Sequence, residues 1–327
     1  MQTRRALLKS GYFVGLGLFC RGPSAFAQLL STSSKQNHSW GIFGGGATST
    51  SGTSTGAVDK YYYARSAVAA GTNLASSGAY HLAASGNTTA GIFTGGFNSV
   101  GSATAVCNLY TYGGDVVTAG GNLSIATCDH AAAGNATVAV HGGGYVSGAK
   151  SAATQVYTYS ANTFAAGTNL SYSGYWNAAV GDSTTGLFAG GYTGAAWIST
   201  TSVYTYSGNA VASGTALTSA LGQQAAAGIS TYGLISLGQG GSGGSTATLQ
   251  YTYSGNTTAA GTSLTSTSEF PAATGNRQVG VFAGGQTSVV LNTTQVYNFT
   301  SNGVTAGTNL GTARAALAAV STLPGGF

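Results

Sequence analysis

Side chains able to do acid–base, metal or nucleophilic chemistry are scarce in this chain, and many of them fall together. Its 327 residues include four histidines, five carboxylates and three cysteines. Two of the histidines and two of the carboxylates lie in short segments that recur about every 47 residues: Tyr80-His81, Asp129-His130, Tyr175-Trp176-Asn177, Gln223-Gln224, Glu269-Phe270 and Arg314. Amides and carboxylates bond sugar hydroxyls, while Trp and Tyr stack on the C–H faces of sugar rings. The candidate ligand-binding set is therefore Tyr80, His81, Asp129, His130, Trp176, Asn177, Gln223, Gln224, Glu269, Phe270 and Arg314. Asp129 and Glu269 stand three segments apart in a set of six, which places them across a common axis. Carboxylates about 5–9 Å apart hydrolyse glycosidic bonds, so a glycosidase-type pair is an alternative there.

The remaining chemistry is thin. Cys107 and Cys128 are expected to form a disulfide, with two buried free thiols as the alternative. No CxxC or HxxxH spacing supports zinc, and no cofactor is expected. Gly238–Gly243 matches GxGxxG and Gly240–Gly244 matches GxSxG. Both lie in a low-complexity loop, whereas a dinucleotide fingerprint or nucleophile elbow needs a helix directly after it.

The elements that position these segments are themselves repeated. A glycine doublet recurs at Gly45–Gly46, Gly95–Gly96, Gly142–Gly143, Gly190–Gly191 and Gly284–Gly285, with Leu237–Gly238 as a degenerate copy. Tyr61, Tyr110, Tyr157, Tyr204, Tyr251 and Tyr297 run in step with it. A fixed period of this length signals a repeat architecture. Within one copy, Ala178-Ala179-Val180 and Gly186–Ala189 read as short apolar strands. Ser202–Tyr206 alternates as a half-buried strand does, and Ala210–Leu217 follows the turn at Ser207–Asn209. Four short antiparallel strands per period make a β-propeller blade. The chain is expected to be all-β, a six-bladed propeller over residues 41–327. Its first copy starts at Gly41 with a second strand, and Ala318-Ala319-Val320 supplies the missing one. Glycine doublets and tyrosines are then framework, and function sits where the copies differ.

The doublet after an apolar strand, the Val-Tyr-x-Tyr strand about 13 residues later and His130-Ala131-Ala132-Ala133 opening a unit together resemble kelch repeats. The family's fourth-strand Trp is replaced by Val68, Val117, Phe164, Val211, Thr258 and Val304. The resemblance implies a propeller without implying an activity, since propellers host many. It also implies a structural role for His130, because kelch units place Arg or His before the innermost strand to bond neighbouring backbone. A kelch-bladed copper radical oxidase is disfavoured, because neither Cys107 nor Cys128 lies in a matching motif.

Charged residues make up 5% of the chain and the formal net charge is +5. Arg4, Arg5, Lys9 and Arg21 carry most of that excess. Beyond them six basic residues face five acidic ones, which excludes the basic face that nucleic acid requires. The N-terminus combines Arg4-Arg5, a short apolar run from Gly11 to Cys20 and Ala25-Phe26-Ala27. It resembles a twin-arginine signal peptide spanning residues 1–27, cleaved between Ala27 and Gln28. Residues 28–40 read as a linker, and the apolar run is too short to span a bilayer. The expected protein is a periplasmic or secreted binding or structural module, with a glycan or an envelope or extracellular protein as partner. An exported carbohydrate-active enzyme and a surface or appendage component are the alternatives.

Overall fold

The computed structural model describes residues 39–322, apart from 76–78, 237 and 242. The expected signal peptide, its cleavage site and most of the linker lie outside the described residues, as does Leu237. The first strand begins at Trp40, one residue ahead of the expected boundary.

Six four-stranded antiparallel sheets form six blades, and one turn of 3₁₀ helix at Tyr112–Gly114 is the one helical segment among the described residues. In blade 4 the strands run Ala178–Gly181, Thr185–Ala189, Thr201–Thr205 and Ala210–Ser213, from axis to rim. The innermost strands of blades 2, 3, 5 and 6 are Ala83–Gly86, Ala131–Gly134, Ala225–Gly228 and Ala272–Gly275. Blade 1 is assembled from both ends of the propeller. Ala318–Ser321 forms its innermost strand, with Ile42 opposite Val320 and Phe43 opposite Ala319. The alanines are a consequence of convergence, because six strands crowd one axis and leave space for little beyond a methyl group.

Apolar packing lies between neighbouring sheets. Val180, Leu187 and Ala189 of blade 4 pack with Ala226, Ile235 and Leu249 of blade 5. Each repeated tyrosine is at most 1% exposed, and burying such a side chain contributes about 1.5–3 kcal/mol. Its hydroxyl bonds the residue five positions on: Tyr157 donates to Asn162 at 2.6 Å, and Tyr204, Tyr251 and Tyr297 donate to Asn209, Asn256 and Asn302. Asn209 and Asn256 also reach the blade before. Asn256 Oδ1 accepts from the Thr215 N–H at 2.8 Å, and Asn209 Oδ1 from the Thr168 N–H at 2.9 Å. The glycine that precedes each of these threonines is required by contact. A Cβ on Gly214 would lie 2.5 Å from the Tyr251 hydroxyl.

One frame in the repeat needs correction. Gly142 ends the strand Val138–Gly142, and the positive-φ doublet of blade 3 is Gly143–Gly144, not Gly142–Gly143. Its second N–H donates to Gly174 O at 2.8 Å, as the Gly96 N–H does to Thr127 O at 2.9 Å.

Candidate functional site

Each innermost strand is entered through a residue with left-handed backbone. These are His81, Asp129, Trp176, Gln223, Phe270 and Ala316, with φ between 53° and 60°. Left-handed backbone costs a non-glycine residue roughly 1–2 kcal/mol, yet none of the six is glycine. The cost is offset by a closed ring of hydrogen bonds. The N–H of His81 donates to Ala316 O, Asp129 to His81, Trp176 to Asp129, Gln223 to Trp176, Phe270 to Gln223 and Ala316 to Phe270, all at 2.7–3.0 Å. Six amides and six carbonyls satisfy one another around the axis, and the six side chains are left to furnish the face.

Five of the six ring residues are among those expected from sequence. The sixth is Ala316 and not Arg314, which is fully buried away from the axis. The Arg314 guanidinium bonds Gly45 O and Ala57 O and pairs with Asp59 at 2.5 Å. It ties the last inter-blade loop to blade 1, so it is a closure residue and not a ligand group.

The residues after the ring form a second tier: Leu82, His130, Asn177, Gln224, Pro271 and Leu317. Both tiers line a cavity of about 100 Å³ at the axial mouth. His81, Trp176 and Phe270 occupy alternate ring positions and meet there. His81 and Phe270 are 4.6 Å apart, centroid to centroid, and Trp176 and Phe270 are 5.5 Å apart, both edge-to-face. Asp129 joins two of the three: its Oδ1 lies 2.6 Å from His81 Nδ1 and accepts the Trp176 indole N–H at 2.7 Å. A neutral His81 in that contact carries its proton on Nδ1. Outward from the axis, Trp176 lies nearly parallel to Tyr192 and Trp197, at 5.9 and 6.0 Å. This makes an aromatic shelf beside the mouth.

The amides of the second tier turn back on the blade before. Gln224 Nε2 donates to Ala189 O at 2.9 Å, and Asn177 Nδ2 approaches Gly142 O at 3.5 Å. Asn177 Oδ1, Gln223 Oε1 and Gln224 Oε1 are buried acceptors without a partner. His130 bonds side chains rather than backbone: its Nε2 is 3.2 Å from Thr94 Oγ1, which also meets His141 Nδ1 at 2.9 Å. Burial lowers the His130 pKa to about 4, a shift only partly opposed by the Asp129 charge. Burial lowers His141 as well, with His130 adding to the effect.

Tyr80 and Glu269 sit one residue before the ring and pair through backbone with Phe97 and Gln286. Glu269 lines neither the mouth nor the neighbouring cavity, and partial burial raises its carboxyl pKa. Asp129 lines the mouth with two donors on its carboxylate, whereas Glu269 does not line it. The expected disulfide is also absent, since Cys107 and Cys128 are both buried free thiols. Cys107 points into the blade 2–3 interface against Ile92, Ala139 and Tyr157, where burial raises its pKa to about 12. Cys128 turns instead toward Tyr145 O, at 3.6 Å.

Phe97, Tyr145, Tyr192, Trp197 and Gln286 are neighbours of the site that sequence reasoning missed. Four of them occupy the position directly after the glycine doublet, so the same six-copy alignment held the signal. Among the described residues no group of three His, Cys, Asp or Glu side chains could hold a metal ion. No helix there is long and apolar enough to cross a membrane.

Comparison with known proteins supports the fold alone. No family model and no curated protein matches the chain. Among the solved structures that match is one titled "Structure of YjhT", with a TM-score of 0.63 and 11% sequence identity. The match covers 77% of this chain and 91% of that one. The molecule is a six-bladed β-propeller.

Proposed function

We propose that this propeller is an exported, kelch-like binding module that engages carbohydrate through its inter-blade-loop face. The observation that carries this is the aromatic shelf of Trp176, Tyr192 and Trp197 beside a mouth whose walls include the side chains of Asn177, Gln223 and Gln224. Aromatic faces take sugar C–H groups, and side-chain amides bond hydroxyls. Binding to a glycan array by residues 28–327, and its loss in Trp176→Ala, tests the proposal.

Export rests on the Arg4-Arg5 pair, the short apolar run and the Ala25-Phe26-Ala27 site. Replacing both arginines by lysine is expected to hold the uncleaved precursor in the cytoplasm. Unchanged secretion of that variant would contradict the twin-arginine route.

A second reading is an exported carbohydrate-active enzyme on the same face. It is favoured by the Asp129–His81 contact, since a carboxylate that fixes an imidazole leaves the other ring nitrogen to act as a general base. Turnover of a bound glycan that disappears in His81→Ala, with binding kept, would select this reading. Binding without turnover in the unaltered protein selects the module.

A further inference from the structure

The ring of six carries a large side chain at five positions and a methyl group at the sixth. Ala316 has φ 53°, the same backbone that holds Phe270, Trp176, His81, Asp129 and Gln223. Nothing in that conformation demands a small residue, because five siblings accept large ones. The methyl group leaves a notch between Phe270 and His81. Over it lies a second cavity of about 200 Å³, larger than the axial mouth.

Its walls have a definite chemistry. Tyr80, His81 and Phe270 supply three aromatic rings, with Tyr80 and His81 5.3 Å apart and His81 and Phe270 4.6 Å apart. Thr50 and Gln286 supply a hydroxyl and an amide. No Asp, Glu, Lys or Arg lines the cavity. His81, the one basic group in the wall, is already held by Asp129. Withdrawing a charged ligand from water without a free ionic partner is costly, which argues against phosphates, carboxylates and ammonium ions. Aromatic faces with neutral hydrogen-bonding groups suit a ring that has apolar C–H faces and hydroxyl edges. The volume is below the roughly 300 Å³ at which pockets for drug-sized ligands begin, so it admits a single ring and not a chain.

Resting on the carbohydrate reading above, we infer that the Ala316 notch holds one terminal pyranose unit of a neutral glycan. The glycan's remaining units lie outward from the notch.

The notch can be filled without disturbing the ring. Ala316→Phe places at position 316 the side chain that Phe270 already presents from equivalent backbone. The probes are the methyl pyranosides of glucose, galactose, mannose and N-acetylglucosamine, followed by saturation-transfer NMR. The unaltered protein is expected to transfer saturation to the ring C–H protons of at least one of them. Ala316→Phe is expected to reduce that transfer at least tenfold with an unchanged melting temperature. Gln286→Ala, which leaves the ring untouched, is expected to weaken the same signal severalfold. Transfer that persists undiminished in both variants, or is absent from the unaltered protein for all four probes, overturns the inference. If the array detects glycan binding through Trp176 while no pyranoside shows transfer, the notch proposal fails and the proposed binding face stands. Failure of both assays removes the two together.

Discussion

His130 occupies a position that the other copies fill with Leu82, Asn177, Gln224, Pro271 and Leu317. It alone there carries a proton equilibrium. Its folded pKa of about 4 lies below the ordinary value of 6.5, so the unfolded chain binds a proton more readily than the folded one between those values. Stability therefore rises with pH across that window and falls as pH drops from 6.5 toward 4. The buried His141 acts in the same direction. For His130 the full effect is up to roughly 3 kcal/mol, from 1.36 kcal/mol per pKa unit. His130→Asn, which installs the residue found at 177, is expected to flatten the decline in melting temperature between pH 6.5 and 4.5. An equally steep decline in that variant would move the sensitivity elsewhere. At this scale the sequence identified eight of the residues that line the mouth, with Tyr80, Glu269 and Arg314 placed there in error, but not how each is used. Asp129 reads as a free carboxylate, and only geometry reveals that His81 and Trp176 both hold it. Likewise the spacing of Cys107 and Cys128 gives no hint that their side chains point into different surroundings.

Between elements, the last inter-blade loop is bound to blade 1 by Arg314 and Asp59, the one Arg–carboxylate ion pair found among the described residues. Asp59 also accepts the Gly311 N–H at 3.2 Å. Comparable third-strand positions elsewhere are neutral: Gln155 accepts the Ile125 N–H and Ser202 the Ser171 N–H. Breaking one partner of a buried pair strands the other charge, at a cost of about 3–5 kcal/mol. Arg314→Ala is expected to lower unfolding free energy by that order in a urea titration, whereas Lys150→Ala, at an exposed position, changes it by less than about 0.5 kcal/mol. Equal midpoints for the two variants would refute the closure role. Strand count, strand order and the offset of the first blade were legible because each copy repeats the same alternation and the same turns. Two details were not. In Gly142-Gly143-Gly144 any adjacent pair satisfies the doublet, and only the backbone angles select the second pair. Arg314 drew attention as a rare charge, although the residue equivalent to His81 and Asp129 is the inconspicuous Ala316.

For the whole molecule, closure and surface chemistry are separable. Strand Ala318–Ser321 seals the ring of blades, and the left-handed residues seal a smaller ring of hydrogen bonds at its mouth. Neither device depends on what the ring residues carry beyond Cβ. That independence lets one face hold His, Asp, Trp, Gln, Phe and Ala in succession on an almost uncharged body. The central claim is that this face binds carbohydrate. It is tested most directly by screening residues 28–327 and the Trp176→Ala variant side by side on one glycan array. The account predicts that the unaltered protein retains a restricted set of neutral glycans and that the variant loses that set while remaining folded. An unaltered protein that retains no glycan, or a variant that retains the same set with equal strength, would contradict it.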